Sequence, residues 1–374
     1  MSDNISSVKN CTGCSACSSV CPRHCITMRE DRLGFEYPVV DESACVSCGL
    51  CLKTCPVAGS PDLAYPMNAY AARSIDDRDY LTSSSGGAAS VLSRHMIKSG
   101  GVVYGCASDG ADVRHVRVDR LDDLPRLKGS KYVQSSLSGV FDPLKQDLKD
   151  GRDVLFIGTP CQVAAVRRYA GKLSDKLYLV DLICHGVPSR KMLKDHVASV
   201  SGGRPVDKVS FRTGSRYELT LASAGEVLYR ADNDRDLYCN VFLRGLSCRN
   251  ACYRCLFARP ERGSDITIGD FWGIDTKSHP LPFSCDSGLS VMLPVTGKGK
   301  RLVEMISCDM KIEGRSVEEA VKGNSQLRKP TRNTFRGRFL RYLYAHGLSF
   351  DAAVRISLFD KKLRDIYRKI IGRR

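Results

Sequence analysis

Cysteine carries most of the chemistry this sequence can do. Near its start stands Cys11-x2-Cys14-x2-Cys17-x3-Cys21-Pro22, and the same pattern returns as Cys45-x2-Cys48-x2-Cys51-x3-Cys55-Pro56. Three cysteines at i, i+3 and i+6 on a tight loop can aim their sulfurs at three corners of one cubane, while the fourth, followed by proline, leaves the loop to serve the other cluster. The spacing therefore predicts one 4Fe-4S cluster on Cys11, Cys14, Cys17 and Cys55 and a second on Cys45, Cys48, Cys51 and Cys21, with Cys25 left over. A zinc knuckle would supply pairs of cysteines with longer gaps, which a doubled three-plus-one run does not resemble. The chemistry available to such a unit is electron relay.

Further along, Cys161 follows Gly158-Thr159-Pro160, and Cys184 opens Cys184-His185-Gly186-Val187-Pro188. Pro160 stands where a helix begins, so Cys161 is expected in a first helical turn, where the dipole favours a thiolate and primes it as ligand or nucleophile. A third constellation is Cys248-x3-Cys252-x2-Cys255, with Cys239 nine residues before it. Cys161, Cys184, Cys252 and Cys255 together supply the four thiolates of a third 4Fe-4S cluster; a local zinc site from Cys239, Cys248, Cys252 and Cys255 competes, and the cluster is the preferred reading.

The elements that must hold these residues follow from periodicity. Ile26 to Val40, with Gly34 and alternating apolar residues, predicts a small hairpin between the two cysteine loops. Gly59, Pro61 and Pro66 mark a linker, and from about Asn68 the pattern is that of alternating strands and helices. Ser83-Ser84-Ser85-Gly86-Gly87 feeds a helix over 88–98, after which Gly100-Gly101 opens a strand at Val102-Val103-Tyr104. A Ser/Gly loop at a helix N-terminus offers free N–H groups to a phosphate, though ordinary capping uses the same residues. Val154 to Ile157 and Leu177 to Ile183 read as parallel strands, which places both cysteines just past their carboxyl ends, the edge where open α/β sheets bind ligands. The predicted fold class is α+β: a two-cluster ferredoxin module over 1–60, a larger α/β domain over 66–325, and a basic amphipathic helical tail over 330–374.

Composition narrows the classes. The 374 residues suffice for two or three domains, and the 18 cysteines, in a chain that opens without a basic n-region or an apolar run, point to metal ligation in a reducing compartment, so the expected location is the cytoplasm. The net charge is +16, and from Pro330 onward twelve Lys/Arg face three Asp, so more than half of the excess lies in the tail. Phe339, Leu340, Tyr342, Leu343 and Tyr344, then Val354, Ile356, Leu358, Phe359, Leu363, Ile366 and Ile370, predict two amphipathic helices there. Such helices are a solvated face or a contact with an anionic membrane surface or an acidic partner. No nucleic-acid reading motif accompanies the charge, which argues against nucleic acid.

Six blocks in order carry a resemblance: Ser83 to Gly87, Gly129-Ser130-Lys131-Tyr132-Val133-Gln134-Ser135, Gly158-Thr159-Pro160-Cys161-Gln162, Cys184 to Ser189, Cys252-Tyr253-x-Cys255, and Asp265 to Gly273. Over roughly residues 1 to 295 the chain resembles the coenzyme F420 hydrogenase/dehydrogenase beta-subunit family, departing from it in the additional Cys248. The resemblance implies an FAD held against a 4Fe-4S cluster, so that paired electrons at flavin leave singly through iron–sulfur centres. It implies Ser84, Ser85, Gly86, Gly87 and Thr159 near the flavin, Lys131 toward an anionic flavin or substrate group, and Asp270 as a further site residue. His185 is either a proton donor to substrate or a structural histidine. The function implied is an FAD-dependent iron–sulfur oxidoreductase working with a redox partner protein or ferredoxin and a small-molecule substrate such as coenzyme F420. The alternative is a non-catalytic electron-transfer subunit of a larger redox complex.

Overall fold

The computed structural model describes residues 4–213 and 216–359. The first module is built twice over. Each cysteine loop runs into one short helix, α1 (Ala16–Val20) and, after the hairpin β1 (Ile26–Glu30) and β2 (Glu36–Val40), α2 (Leu50–Thr54). The hairpin pairs Ile26 with Val40 and Glu30 with Glu36, as the alternation predicts. The loops match in backbone as well as in cysteines: φ is +67° at Gly13 and +52° at Ser47, then +64° at Ser15 and +71° at Gly49. Left-handed residues at the same two places curl each loop around a common centre, and each loop supplies one glycine and one serine for the task.

The larger domain begins with β3 (Ala69–Ser74), α3 (Asp77–Leu81) and α4 (Ala88–Lys98), and continues through β4 (Val102–Asp109), β5 (Asp112–Val118), α5 (Phe141–Lys149), β6 (Val154–Gly158), α6 (Pro160–Ala170), β7 (Leu177–Leu182) and α7 (Arg190–Ser201). A small antiparallel sheet follows, β8 (Lys208–Thr213), β9 (Arg216–Ser223) and β10 (Glu226–Asp232), then α8 (Leu237–Leu243). The chain returns with β11 (Ile266–Asp270), β12 (Ser290–Pro294), α9 (Gly297–Met305), β13 (Met310–Arg315) and α10 (Val317–Gly323), and ends in α11 (Phe335–Ala345) and α12 (Phe350–Ser357).

Eight strands form one sheet in the order β13-β3-β12-β11-β7-β6-β4-β5. Its centre is parallel, with Val102 beside Val154, Ile157 beside Val180 and Thr267 beside Asp181. The central strands bury both faces. Val154, Phe156, Leu177 and Leu179 pack under α5 and α6, while Leu155, Val180, Ile266 and Ile268 pack under α4 and α9. Residues of alternate parity facing opposite helical layers are what a buried parallel strand requires. The strand expected to end at Tyr104 runs on to Asp109 because β5 pairs with it through Asp112.

The module is seated on this domain. Cys14 and Ala16 share a core with Val163 and Val166 of α6, and Arg168 of α6 donates to the carbonyl of Ser60 at 3.0 Å. The tail helices are likewise part of the body: Leu340, Tyr344, Phe350, Ala353 and Val354 close a core with Met192 and Val197 of α7 and Tyr238 of α8. One face of α11 stays exposed, with Phe335 and Phe339 stacked on each other. The expected contact with anionic lipid was placed on the tail over 330–374, of which residues 360–374, with Leu363, Ile366 and Ile370, lie outside the described residues. Among the described residues no helix is long and apolar enough to cross a membrane.

Candidate functional site

The carboxyl edge of the sheet opens into a cavity of about 710 Å³. Every parallel strand that ends there contributes. Ser83, Ser84 and Ser85 follow β3 and α3, Ile157 and Gly158 end β6 with Thr159 after them, Leu182 ends β7 with Ile183 to Val187 after it, and Gly269 and Asp270 end β11 with Trp272 just beyond. The segment 129–133 and the start of α4 complete one wall. The cavity thus gathers Ser84, Ser85, Gly87, Lys131, Thr159, His185 and Asp270; Gly86 stands behind it.

Gly86 has a steric reason. A Cβ there would meet the Ala72 carbonyl oxygen at 2.1 Å and the Ser290 nitrogen at 2.7 Å, so the loop lies flat on β3 and β12 only as glycine. Gly87, at φ +88°, then turns the chain into α4 without a side-chain cap. The first N–H groups of an 11-residue helix are left facing the cavity wall, where the helix dipole favours an anion. Ser84 fixes the opposite lip by accepting from the Ser130 N–H at 2.9 Å.

Thr159 caps α6 in a capping box with Gln162, whose Oε1 accepts from the Thr159 N–H at 3.0 Å. Lys131 folds back, its Nζ donating to the carbonyls of Leu127 at 3.0 Å and Lys128 at 2.7 Å, and burial lowers its pKa. His185 has both ring nitrogens engaged: Nε2 lies 3.1 Å from the Phe242 carbonyl and Nδ1 2.9 Å from the Gln326 amide. The carbonyl takes the Nε2 proton and the amide donates to Nδ1, and burial lowers the pKa, so the imidazole is held neutral. Asp270 accepts from Arg212 Nη1 at 2.8 Å, and the guanidinium lies over Tyr217 at 4.3 Å from the ring centre.

Behind the cavity the cysteines converge. Burial, and after it the thiols of Cys252, Cys161 and Cys255, push the Cys184 thiol well up. Cys252 rises through burial together with Cys248, Cys161 and Cys255. Cys161 does occupy the first turn of α6, but its thiol is raised by burial rather than depressed by the dipole, a correction to the expectation of a primed thiolate. Cys239, required by a local zinc site, is instead buried in the α7/α8 core with its backbone N–H on Asp236. Among the described residues no group of His, Cys, Asp or Glu could hold a single metal ion.

In the module, burial and then the charges of Cys11, Cys55 and Cys161 push Cys14 up to about 12, and Cys17 is raised by burial with Cys14, Cys11 and Cys55. Cys14 and Ala16 pack in one core with Val163 and Val166 of α6, whose first turn carries Cys161, so the first module group lies against the helix behind the cavity. The other loop places Cys21, Cys45, Cys48 and Cys51 around a small hollow that Cys25 also lines, its Sγ 3.4 Å from Cys21 Sγ. Cys48 is exposed, with Val46 and Leu50 exposed on either side.

Residues without a predicted role complete the site. Arg212 and Tyr217 come from the small sheet, and nothing in their local sequence marks them. Gln134 and Gln162 stand inside recognised blocks; Gln134 Nε2 donates to the Thr12 carbonyl at 2.9 Å and ties the module to the cavity wall. Arg249 also joins the two, its guanidinium donating to the Cys11 carbonyl at 2.8 Å.

Residues 151–320 match the family model for the C-terminal part of the coenzyme F420 hydrogenase/dehydrogenase beta chain, and residues 10–58 match the 4Fe-4S dicluster domain. The resemblance read from the sequence blocks is borne out by both. The module is therefore of the kind that carries two 4Fe-4S clusters, and residues 151–320 are similar to the C-terminal part of an oxidoreductase subunit. A chain of the F420-reducing NiFe hydrogenase complex from Methanosarcina barkeri is similar at 20% identity and TM-score 0.47, over 73% of this chain and 98% of that one. No curated protein matches the sequence.

Proposed function

We propose that this chain, which joins a 4Fe-4S dicluster domain to the C-terminal domain of the coenzyme F420 hydrogenase/dehydrogenase beta-subunit family, is an FAD-dependent iron–sulfur oxidoreductase. Its cavity binds FAD together with a small-molecule substrate such as coenzyme F420, and Cys161, Cys184, Cys252 and Cys255 hold a third 4Fe-4S cluster. The observation that carries the reading is a continuous line. Cys184 borders the cavity, Cys161 opens the helix α6 against which Cys14 of the module packs, and the module's second loop reaches the surface at the exposed Cys48.

The donor set suits a cubane. Four thiols with no carboxylate or imidazole among them are soft ligands of the kind that iron–sulfur clusters take, and all four are half-buried. When bound, the flavin exchanges electrons in pairs with an organic substrate and singly with clusters. The rest falls to the chain. The N-terminus of α4 and the Ser84 loop receive a phosphate, as free N–H groups do. Lys131, whose ammonium is already bonded to two carbonyls, adds positive charge to the same wall at a fixed place. Arg212, oriented by Asp270 and Tyr217, covers the far side. His185 positions the Cys184 turn between Phe242 and Gln326 rather than donating a proton. Exposed Val46 and Leu50 around Cys48 form the surface on which a redox partner protein would dock.

Anaerobic purification with measurement of iron, acid-labile sulfide and released flavin tests the reading. It expects about twelve irons and one FAD per chain. About eight irons without flavin would sink it and leave the dicluster module on a scaffold. A full complement that reduces dyes but turns over no deazaflavin or other acceptor would favour a non-catalytic electron-transfer subunit.

A further inference from the structure

Arg249 is 1% exposed, and its side chain and backbone belong to different centres. The guanidinium reaches into the module: Nε donates to the Cys11 carbonyl at 2.8 Å, Nη2 to the Glu36 carbonyl at 2.6 Å, and Nη1 to Gln134 Oε1 at 3.2 Å. Nη2 also stands 3.9 Å from Cys11 Sγ, and the group lies 4.3 Å from the centre of the Tyr37 ring. The backbone is in the other centre, with the Arg249 N–H on the Val187 carbonyl and the Cys252 N–H on the Arg249 carbonyl, each at 2.9 Å. Gly13 makes room for this, since a Cβ there would come within 2.7 Å of Nη1.

Every partner of this buried cation is neutral. Among the described residues no carboxylate comes within ion-pair distance of it, whereas the equally buried Arg262 meets Asp181 at 2.9 Å and Arg73 meets Asp77 at 3.4 Å. Arg341 is the other buried arginine with neutral partners, the Leu246 carbonyl, Asn333 and Tyr253, and it faces Cys248. Arg262 also stands near a cysteine, Cys255, but its charge is already met by Asp181, whereas that of Arg249 has no carboxylate partner among the described residues. An isolated buried charge costs several kcal/mol unless an anion compensates it, and the sulfurs nearest Arg249 belong to thiols that become thiolates on binding iron.

We propose that Arg249 is the charge-compensating and positioning residue between the cluster of Cys11, Cys14, Cys17 and Cys55 and that of Cys161, Cys184, Cys252 and Cys255. A four-thiolate cluster is anionic, and reduction adds one more negative charge. A fixed cation beside it stabilises the reduced form more than the oxidised one, which raises the reduction potential. The guanidinium thus acts on the module cluster by charge, while the backbone of the same residue holds the Cys252 turn, so one residue fixes the two centres against each other. The inference rests on the third cluster of the proposed function for its second half only; the module half depends on the dicluster domain alone.

The test is an EPR-monitored redox titration, with iron counted, on the full chain and on Arg249→Gln, Arg249→Lys and Arg341→Gln. Arg249→Gln is expected to keep its iron and to lower the reduced-to-oxidised ratio of one module cluster at least tenfold at fixed potential, about 59 mV for one electron. Arg249→Lys, which retains the charge, is expected to stay within a few-fold of the parent, and Arg341→Gln to leave the module clusters unmoved. Loss of about four irons in Arg249→Gln but not in Arg249→Lys supports the same role, since the cluster then cannot form without the charge. Unmoved potentials in Arg249→Gln, or loss of iron in both Arg249 variants, overturn it, leaving a packing role. A parent with about eight irons overturns the bridge and with it the third cluster, while the module titration still decides whether Arg249 acts on its neighbour.

Discussion

The dicluster module and the thiol group behind the cavity are built from the same side chain by opposite means. In the module the ligands fall within two short runs, and cysteine makes up most of the buried core: among the described residues Cys17, Cys21, Cys25, Cys51 and Cys55 are buried together with Ile5 and Ile26, and Val8, Met28, Val40, Leu52 and Val57 pack on them only partly buried. Behind the cavity, Cys161 comes from the start of α6, Cys184 from the end of β7, and Cys252 and Cys255 from a turn after α8. The first arrangement depends on metal to become a core; the second is placed by a sheet whose core is complete without it. Locality in sequence therefore goes with dependence on iron, and dispersion with independence from it.

Removing iron should expose this difference most. Chelation under anaerobic conditions is expected to make residues 10–58 susceptible to protease and to raise their amide exchange by orders of magnitude, while the sheet retains its protection. Equal protection of both regions would break the comparison. A single substitution gives the sharper version. Cys17→Ser and Cys184→Ser are each expected to cost about four irons, but only the first should shift the module's exchange.

The cavity can be damaged with every cysteine in place. Gly86→Ala puts a methyl group 2.1 Å from the Ala72 carbonyl oxygen, so the Ser/Gly loop must lift off β3. The expected loss is about 1–3 kcal/mol of stability with flavin released and iron unchanged, read by thermal denaturation and by the flavin-to-iron ratio. Asp270→Asn would act more mildly. With the ion pair to Arg212 weakened, flavin or substrate affinity should fall by about tenfold, the scale of a 1.4 kcal/mol interaction, again with iron constant.

The smallest effect concerns the tail. His196 lies between Asp236, 2.8 Å from Nε2, and Asp351 of α12, 2.6 Å from Nδ1. Burial opposes its charge, but bonds to the two carboxylates prevail and raise its pKa from 6.5 to about 9. A folded pKa above the unfolded one means that the contribution is complete below about pH 6.5 and disappears as pH rises through about 9. Asp236 is held below its ordinary value, its burial outweighed by His196, so its share is present above about pH 4 and lost as pH falls further. Protection of the α12 amides, taken relative to the base-catalysed intrinsic rate, should fall between pH 7 and pH 10, and His196→Gln should remove that fall. Protection that does not change with pH would show that apolar contacts of Phe350 and Val354 alone hold α12.

Much of the fold was legible beforehand. The helix over Ala88–Lys98, the strands at Val154 and Leu177 and the start of α6 at Pro160 follow from local punctuation and periodicity, as does the hairpin between the cysteine loops. The site was legible only in part. Ser84, Thr159, Lys131 and His185 stand in blocks whose types suit a ligand, but His185 is turned away from proton transfer by Phe242 and Gln326, residues 57 and 141 positions distant. Arg212 reaches Asp270 across 58 positions, a distance over which no sequence period carries information.

By itself the sequence determined the two cluster loops, because ligands at i, i+3 and i+6 are positioned by the backbone that joins them. It also determined the helix starts and strand ends, because capping, proline and glycine act on their immediate neighbours. Only the tertiary structure decided which thiols lie together behind the cavity, with Cys248 near them and Cys239 apart, and that Arg249, with no carboxylate partner among the described residues, lies between that group and the module. Those are matters of which groups burial forces into contact, and a buried charge or thiol is defined by neighbours that the linear chain does not adjoin.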